Sequence, residues 1–149
     1  MPLKLVSPVE SIFVLEISDE HFKTEGDPTK VTIRQATQGG QEKRSFIYSE
    51  VTNIINQNSQ FAAEMQLRQR WSLEELKRME VFLTLVQCNI SDVDGTDLFR
   101  FKLKGDKQVL DMNENEFKRA FSKLDPIIAA EIHAKVMEVN PEWGGPLAR

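Results

Sequence analysis

Cysteine, histidine and long apolar runs are the scarce features of this 149-residue chain. The single cysteine, Cys88, excludes an internal disulfide, and with only His21 and His133 beside it the common zinc frameworks are excluded as well. No apolar run exceeds a few residues (Val81–Leu83 and Ile127–Ala130 are examples), far short of the roughly 20 that a membrane-spanning helix needs. The opening Met1-Pro2-Leu3-Lys4-Leu5-Val6 reaches acidic Glu10 before an apolar segment of useful length develops, so no signal peptide is expected. Excess positive charge is lacking too. Nineteen Lys and Arg against 23 Asp and Glu leave a net charge of -4, which disfavours nucleic acid as a partner. No internal repeat or low-complexity tract is present.

What is there is ordinary globular material. At 40% hydrophobic and 28% charged the chain is neither disordered nor fibrous, and its length suits one domain able to hide roughly two-thirds of its unfolded surface. The expected organisation is a flexible arm over residues 1–11, marked by Pro2, Ser7 and Pro8, a single domain over 12–140, and an irregular tail over 141–149.

Spacing along the chain predicts the elements. Ile12–Ile17 is β-branched and aromatic and reads as a strand that ends at Ser18-Asp19-Glu20, with His21 in the loop beyond. Gly26-Asp27-Pro28 is a turn, after which Val31, Ile33 and Gln35 alternate with Lys30, Thr32 and Arg34 in a second strand. An antiparallel pairing of these two strands is the economical one. From Gln41 to Asn58 the apolar positions fall at helical intervals. Met65, Leu67, Gln69 and Trp71 then alternate with Gln66, Arg68 and Arg70, predicting a third strand with a cationic outer face. Ser72 with Glu75 reads as a capping box opening a helix whose stripe is Leu73, Leu76, Met79, Phe82, Leu83 and Val86. The β-branched stretch Val81–Ile90 also permits a strand, but the unbroken stripe favours helix.

Beyond the Asp92–Asp97 turn, Phe99, Phe101 and Leu103 alternate with cations, and Gly105-Asp106 turns that strand into a return at Gln108–Asp111. Asn113 with Glu116 is a second capping box, and Asp125-Pro126 pairs a cap residue with proline at the first helical position. Ile128, Ile132, Val136 and Val139 form the stripe of the last helix, which Asn140-Pro141 stops. The sum is an α+β domain: a small, mostly antiparallel sheet packed with about four helices, its C-terminal third helical.

Candidate chemistry is thin. Setting Gly95 as the sixth position of a calcium loop puts Ile90 and Phe101 where the first and last ligands belong, so Asp92, Asp94 and Asp97 read as turn residues. Gly39-Gly40 before a helix resembles an anion cradle but lacks the spacing of a phosphate loop, leaving a hinge or turn. Cys88 reads as a small buried thiol, and a nucleophile would need His133 or His21 beside it in space. His133 is expected on a helix surface. No catalytic, cofactor-binding or metal-binding residue is assigned, and no cofactor is expected. The residues that suit partner binding are Trp143, in the tail, and Trp71 with the neighbouring Arg68 and Arg70. Trp143 either packs back onto the domain or anchors a partner, and the second role predicts that Trp143→Ala weakens binding more than folding. Stacking of a nucleic-acid base on Trp71 is the weaker use of the arginine cluster.

Two stretches belong together. Val31-Thr32-Ile33-Arg34-Gln35-Ala36-Thr37-Gln38 runs into the helix with Glu42 and Arg44, and Phe121-x-x-Leu124-x-Pro126-x-x-Ala129-x-x-Ile132 continues through Val136, Val139-Asn140-Pro141 and Trp143. With Thr84-Leu85-Val86-x-Cys88-Asn89-Ile90 and Asp94-Gly95 between them, residues 28–145 resemble small proteins of tailed bacteriophages made for tail morphogenesis, including the tail-assembly chaperone type. The resemblance implies no enzyme activity and no cofactor. It implies partners among other tail or virion proteins, homo-oligomers included, and residence in the host cytoplasm during assembly or in the virion. A chaperone of this kind would hold a helical component in an apolar groove, whereas a virion subunit would form ring or stack contacts. A small cytoplasmic adaptor unrelated to virions, or an enzyme built on Cys88, are the alternatives.

Overall fold

The computed structural model describes residues 9–56 and 62–144, and the side chains of residues 9–50 and 73–144 within them. Of the arm expected over residues 1–11, residues 1–8 lie outside the described residues, whereas Glu10 and Ser11 pair in a strand; of the expected tail, residues 145–149 lie outside them.

The described chain is an α+β fold with five α-helices and two antiparallel sheets, of three strands and two. Strand β1 (Glu10–Val14) pairs antiparallel with β2 (Lys30–Arg34), with Ile12 opposite Thr32. Strand β3 (Leu85–Cys88) completes that sheet on the other side of β2, with a register shift between Thr32 and Ile33. Strands β4 (Phe101–Lys104) and β5 (Lys107–Leu110) form the hairpin expected around Gly105, whose φ of +70° is open to glycine. Their chain order and pairing follow the alternation in the sequence, although Phe99 lies before β4 and is buried in the core.

Four departures from the sequence expectations carry physical reasons. The first strand ends at Val14, and Glu16–Phe22 is a helix, α1, so His21 is helical. No local side chain caps α1. Its first N–H groups are taken instead by the carboxylate of Glu131, which accepts from Ile17 N–H at 3.0 Å, from Ser18 N–H at 2.8 Å and from Ser18 Oγ at 2.6 Å. Helix α2 spans Gln38–Asn56, so Gly39 and Gly40 stand in its first turn, and Thr37 Oγ1 accepts the Gly40 N–H at 3.2 Å.

The predicted third strand around Arg68, Arg70 and Trp71 is helix. These residues belong to α3, which runs unbroken from Ala62 to Thr84, and Ser72 is inside it rather than at its start. Met65 and Leu67 alternate with Gln66 and Arg68, but none of Met65 to Arg70 is β-branched and all are good helix formers, so the short alternation carried no strand preference. Finally, α3 stops at Thr84, whose hydroxyl donates back to the Glu80 carbonyl at 2.8 Å, and the β-branched stretch that follows pairs with β2 as β3.

The C-terminal third is helical as its caps predict. Helix α4 (Glu114–Phe121) opens with the reciprocal capping box of Asn113 and Glu116. Helix α5 (Pro126–Val139) opens with Asp125 accepting from Ile127 N–H. A 3-10 turn, Pro141–Trp143, follows. The core gathers the inward side chains of β2 and β3 (Val31, Ile33, Leu85) against Val81 of α3 and Ile132 and Val136 of α5. A chain of rings, Phe82–Phe117–Phe99 with Phe121, fills the space toward α4 at centroid separations of 5.3–5.7 Å. Buried Asn140 joins two layers: its side chain accepts from Ala36 N–H at 2.9 Å and donates to the carbonyls of Arg34 and Val136.

Candidate functional site

Glu80 of α3 is fully buried, and it centres a polar node that no local pattern announced. Arg44 of α2 donates from Nε to Glu80 Oε2 at 3.2 Å and from Nη2 to the Trp143 carbonyl at 2.9 Å. Its guanidinium also lies over the rings of Tyr48 and Trp143, at 4.5 Å and 5.5 Å from their centroids. His133 of α5 holds Nε2 at 2.9 Å from Glu80 Oε1. A carboxylate offers only acceptors, so His133 carries its hydrogen on Nε2. Three helices therefore meet on one carboxylate, and Arg44 joins the 3-10 turn to them.

Trp143 is 2% exposed and belongs to the core. Its indole Nε1 donates to Gln41 Oε1 at 2.6 Å. It therefore packs back onto the domain and is not a surface anchor. His133, expected on a helix surface, is 7% exposed because Glu80 draws it inward. The side chains of Arg68, Arg70 and Trp71, the other residues expected to bind a partner, lie outside the described side chains.

Cys88 does not join a catalytic set. It makes no hydrogen bond to either histidine among the described residues, and His21 instead meets Phe22 edge-on at 4.7 Å. Burial pushes the Cys88 thiol up to about 11, opposite to the shift that activates a nucleophile. At pH 8 such a thiol has roughly two-hundredfold less thiolate than a free cysteine of pKa about 8.5. Cys88 is therefore expected to resist a disulfide reagent in the native protein and to react at the rate of a free thiol in urea. Fast labelling of the folded protein would contradict its burial.

The acidic loop is a turn. Asp94 accepts from Thr96 N–H and Oγ1, and Asp92 accepts from Val93 N–H and from Lys123 Nζ at 2.9 Å. These contacts, the side-chain partner first in each case, hold both carboxyls below their ordinary range. Among the described residues no group of three His, Cys, Asp or Glu side chains is arranged to hold a metal, and no helix is long and apolar enough to cross a membrane.

A groove of about 750 Å³ lies between α3 and α5. Its apolar lining is Phe121 and Leu124 together with Ala129, Ala130, Ala134 and Met137 along α5. From Pro126 to Met137 that wall extends about 16 Å at roughly 1.5 Å per residue, close to three helical turns. Glu74, Lys77 and Arg78 of α3 form the opposite rim, and His133 reaches the floor from behind. The imidazole is held by Glu80, as a general base would be, but among the described residues that carboxylate is its polar contact and no nucleophile stands alongside it. Other exposed apolar side chains, such as Ile12, Ile17, Phe46, Val93 and Leu103, are distributed over separate elements.

No family model matches this chain, and neither does any curated protein or solved structure. The groove and the buried node behind it are thus the features from which function has to be argued.

Proposed function

We propose that this protein is a non-enzymatic binding module that receives a helix of another polypeptide in the α3–α5 groove. The observation that carries this is the groove itself: a helix-length apolar channel whose floor is built from exposed Ala130 and Ala134 and half-buried Ala129 and Met137. Alanines at these positions let a second helix axis approach closely, and an amphipathic helix laid in such a channel is recognised through apolar anchors at helical spacing. The node behind the floor supports the same use. Glu80 ties Arg44 and His133 together, fixing α3 against α5 and so keeping the width of the channel constant before a partner arrives.

The setting we propose is tail morphogenesis in a tailed bacteriophage, with the protein in the host cytoplasm during assembly or in the virion and other tail proteins as its partners. The support is the resemblance in the motifs around Val31–Gln38 and Phe121–Trp143, together with a groove of the kind a tail-assembly chaperone would need. The test uses Ala134→Arg. Ala134 is exposed, so the variant is expected to melt within about 2 °C of the parent. In coexpression with the tail proteins of the same phage, the parent chain is expected to copurify with a helical component and the arginine variant to lose it. Undiminished copurification of the variant would place the interface elsewhere, and absence of any complex with tail proteins would remove the phage setting.

A further inference from the structure

The two walls of the groove differ in charge. On the α5 side Ala129, Ala130, Ala134 and Met137 are neutral, and the one ionisable lining residue, His133, is turned onto Glu80. The nearby acid Glu131 is turned away onto Ser18, and Glu138 pairs with Lys135 at 3.4 Å. The α3 side carries Glu74 beside two cations, Lys77 and Arg78. Lys77 is held only by a weak exposed pair with Glu74 at 3.5 Å, and Arg78 must share Glu75 with Lys118. Three cations thus stand around two carboxylates, on a chain whose net charge is -4.

Given that the groove takes a helix, as proposed above, we infer that its occupant is an amphipathic helix with an acidic flank. An apolar stripe facing α5 turns one polar flank of the incoming helix toward Lys77 and Arg78. Acidic residues there gain from two incompletely neutralised cations, while basic residues would face them as like charges. These pairs lie at a solvated rim, so their contribution is modest, adds to the apolar anchoring and is sensitive to salt.

Fluorescence anisotropy with two labelled peptides tests this. Both peptides are helical and share one leucine stripe, and they differ only in having Glu or Lys along the flanks. The Glu peptide is expected to bind about tenfold more tightly at roughly 50 mM salt, and the preference should fall below about threefold at roughly 500 mM. The double variant Lys77→Glu/Arg78→Glu, checked for an unchanged circular dichroism melt, should reverse the preference. Ala134→Arg should weaken both peptides alike.

Equal binding of the two peptides, abolished by Ala134→Arg, would overturn the acidic flank and leave helix binding in the groove intact. Binding of neither peptide would overturn both. A parent chain that sediments as a dimer, binds neither peptide and becomes monomeric with Ala134→Arg would show that a second copy fills the groove, which also overturns the inference.

Discussion

Glu80→Ala is expected to lower the free energy of unfolding by about 3–5 kcal/mol, the cost of leaving a buried charge without its partner. Arg44 is 8% exposed and donates two hydrogen bonds inward, one to Glu80 and one to the Trp143 carbonyl. With the carboxylate gone, the guanidinium keeps the second bond and the ring contacts but loses its countercharge, and His133 Nε2–H loses its acceptor in the same step. In a chain of this length the loss corresponds to a melting temperature lower by about 10 °C. Urea unfolding of Glu80→Ala beside Arg44→Met/Glu80→Met measures it. The double variant should recover part of the loss, because an apolar pair of similar volume removes both charges together. A loss below about 1 kcal/mol in the single variant would mean that the pair is solvated, since that is the range of exposed pairs.

Trp143→Ala is expected to cost a similar amount, about 3–5 kcal/mol, as for other buried aromatic truncations. The indole is 2% exposed, closes the core beside α2 and α5, and donates to Gln41 at 2.6 Å. Trp143→Phe should lose less, because the ring packing survives and only the Nε1 hydrogen bond is removed. The comparison by urea unfolding separates the two roles that the sequence allows for this residue. A surface anchor predicts two variants nearly as stable as the parent, and a core residue predicts the graded series alanine, phenylalanine, tryptophan.

Glu80 and Trp143 also show why the site was only partly legible. Trp143 follows Asn140-Pro141, a true helix stop, and a residue beyond a stop looks like tail. Nothing within a few positions of it reveals that Arg44 and Gln41, about a hundred residues earlier, receive it. Glu80 sits among charged neighbours in Leu76–Glu80 and has the composition of a solvated helix face. One signal was available: in α3, Glu80 falls one turn after Leu76 and one before Thr84, on the face that Leu76 buries. The groove floor was half visible, as Ala129, Ala130 and Ala134 in a helix otherwise rich in large apolar residues, and Glu74, Lys77 and Arg78 fell in an expected helix, but that these two helices face one another across a groove is a long-range fact no local pattern carries.

By itself the sequence determined what depends on residues four or fewer apart. The Asn113–Glu116 capping box placed α4, Asp125-Pro126 placed α5, the turn at Gly105 placed the β4–β5 hairpin, and the alternation of Val31 and Ile33 placed β2. It also determined the α+β class, because those periodicities are local. Only the tertiary structure decided the rest. Helix α1 exists where a strand end was expected because its orphan N–H groups are met by Glu131, 113 residues away from Ser18. Strand β3 separates from α3 because β2 offers it a ladder, and His133 and Trp143 turn inward because one buried carboxylate and one buried guanidinium need them. An unpaired donor or charge inside a protein costs more than a weak local propensity, so long-range partners override local preference where the two disagree.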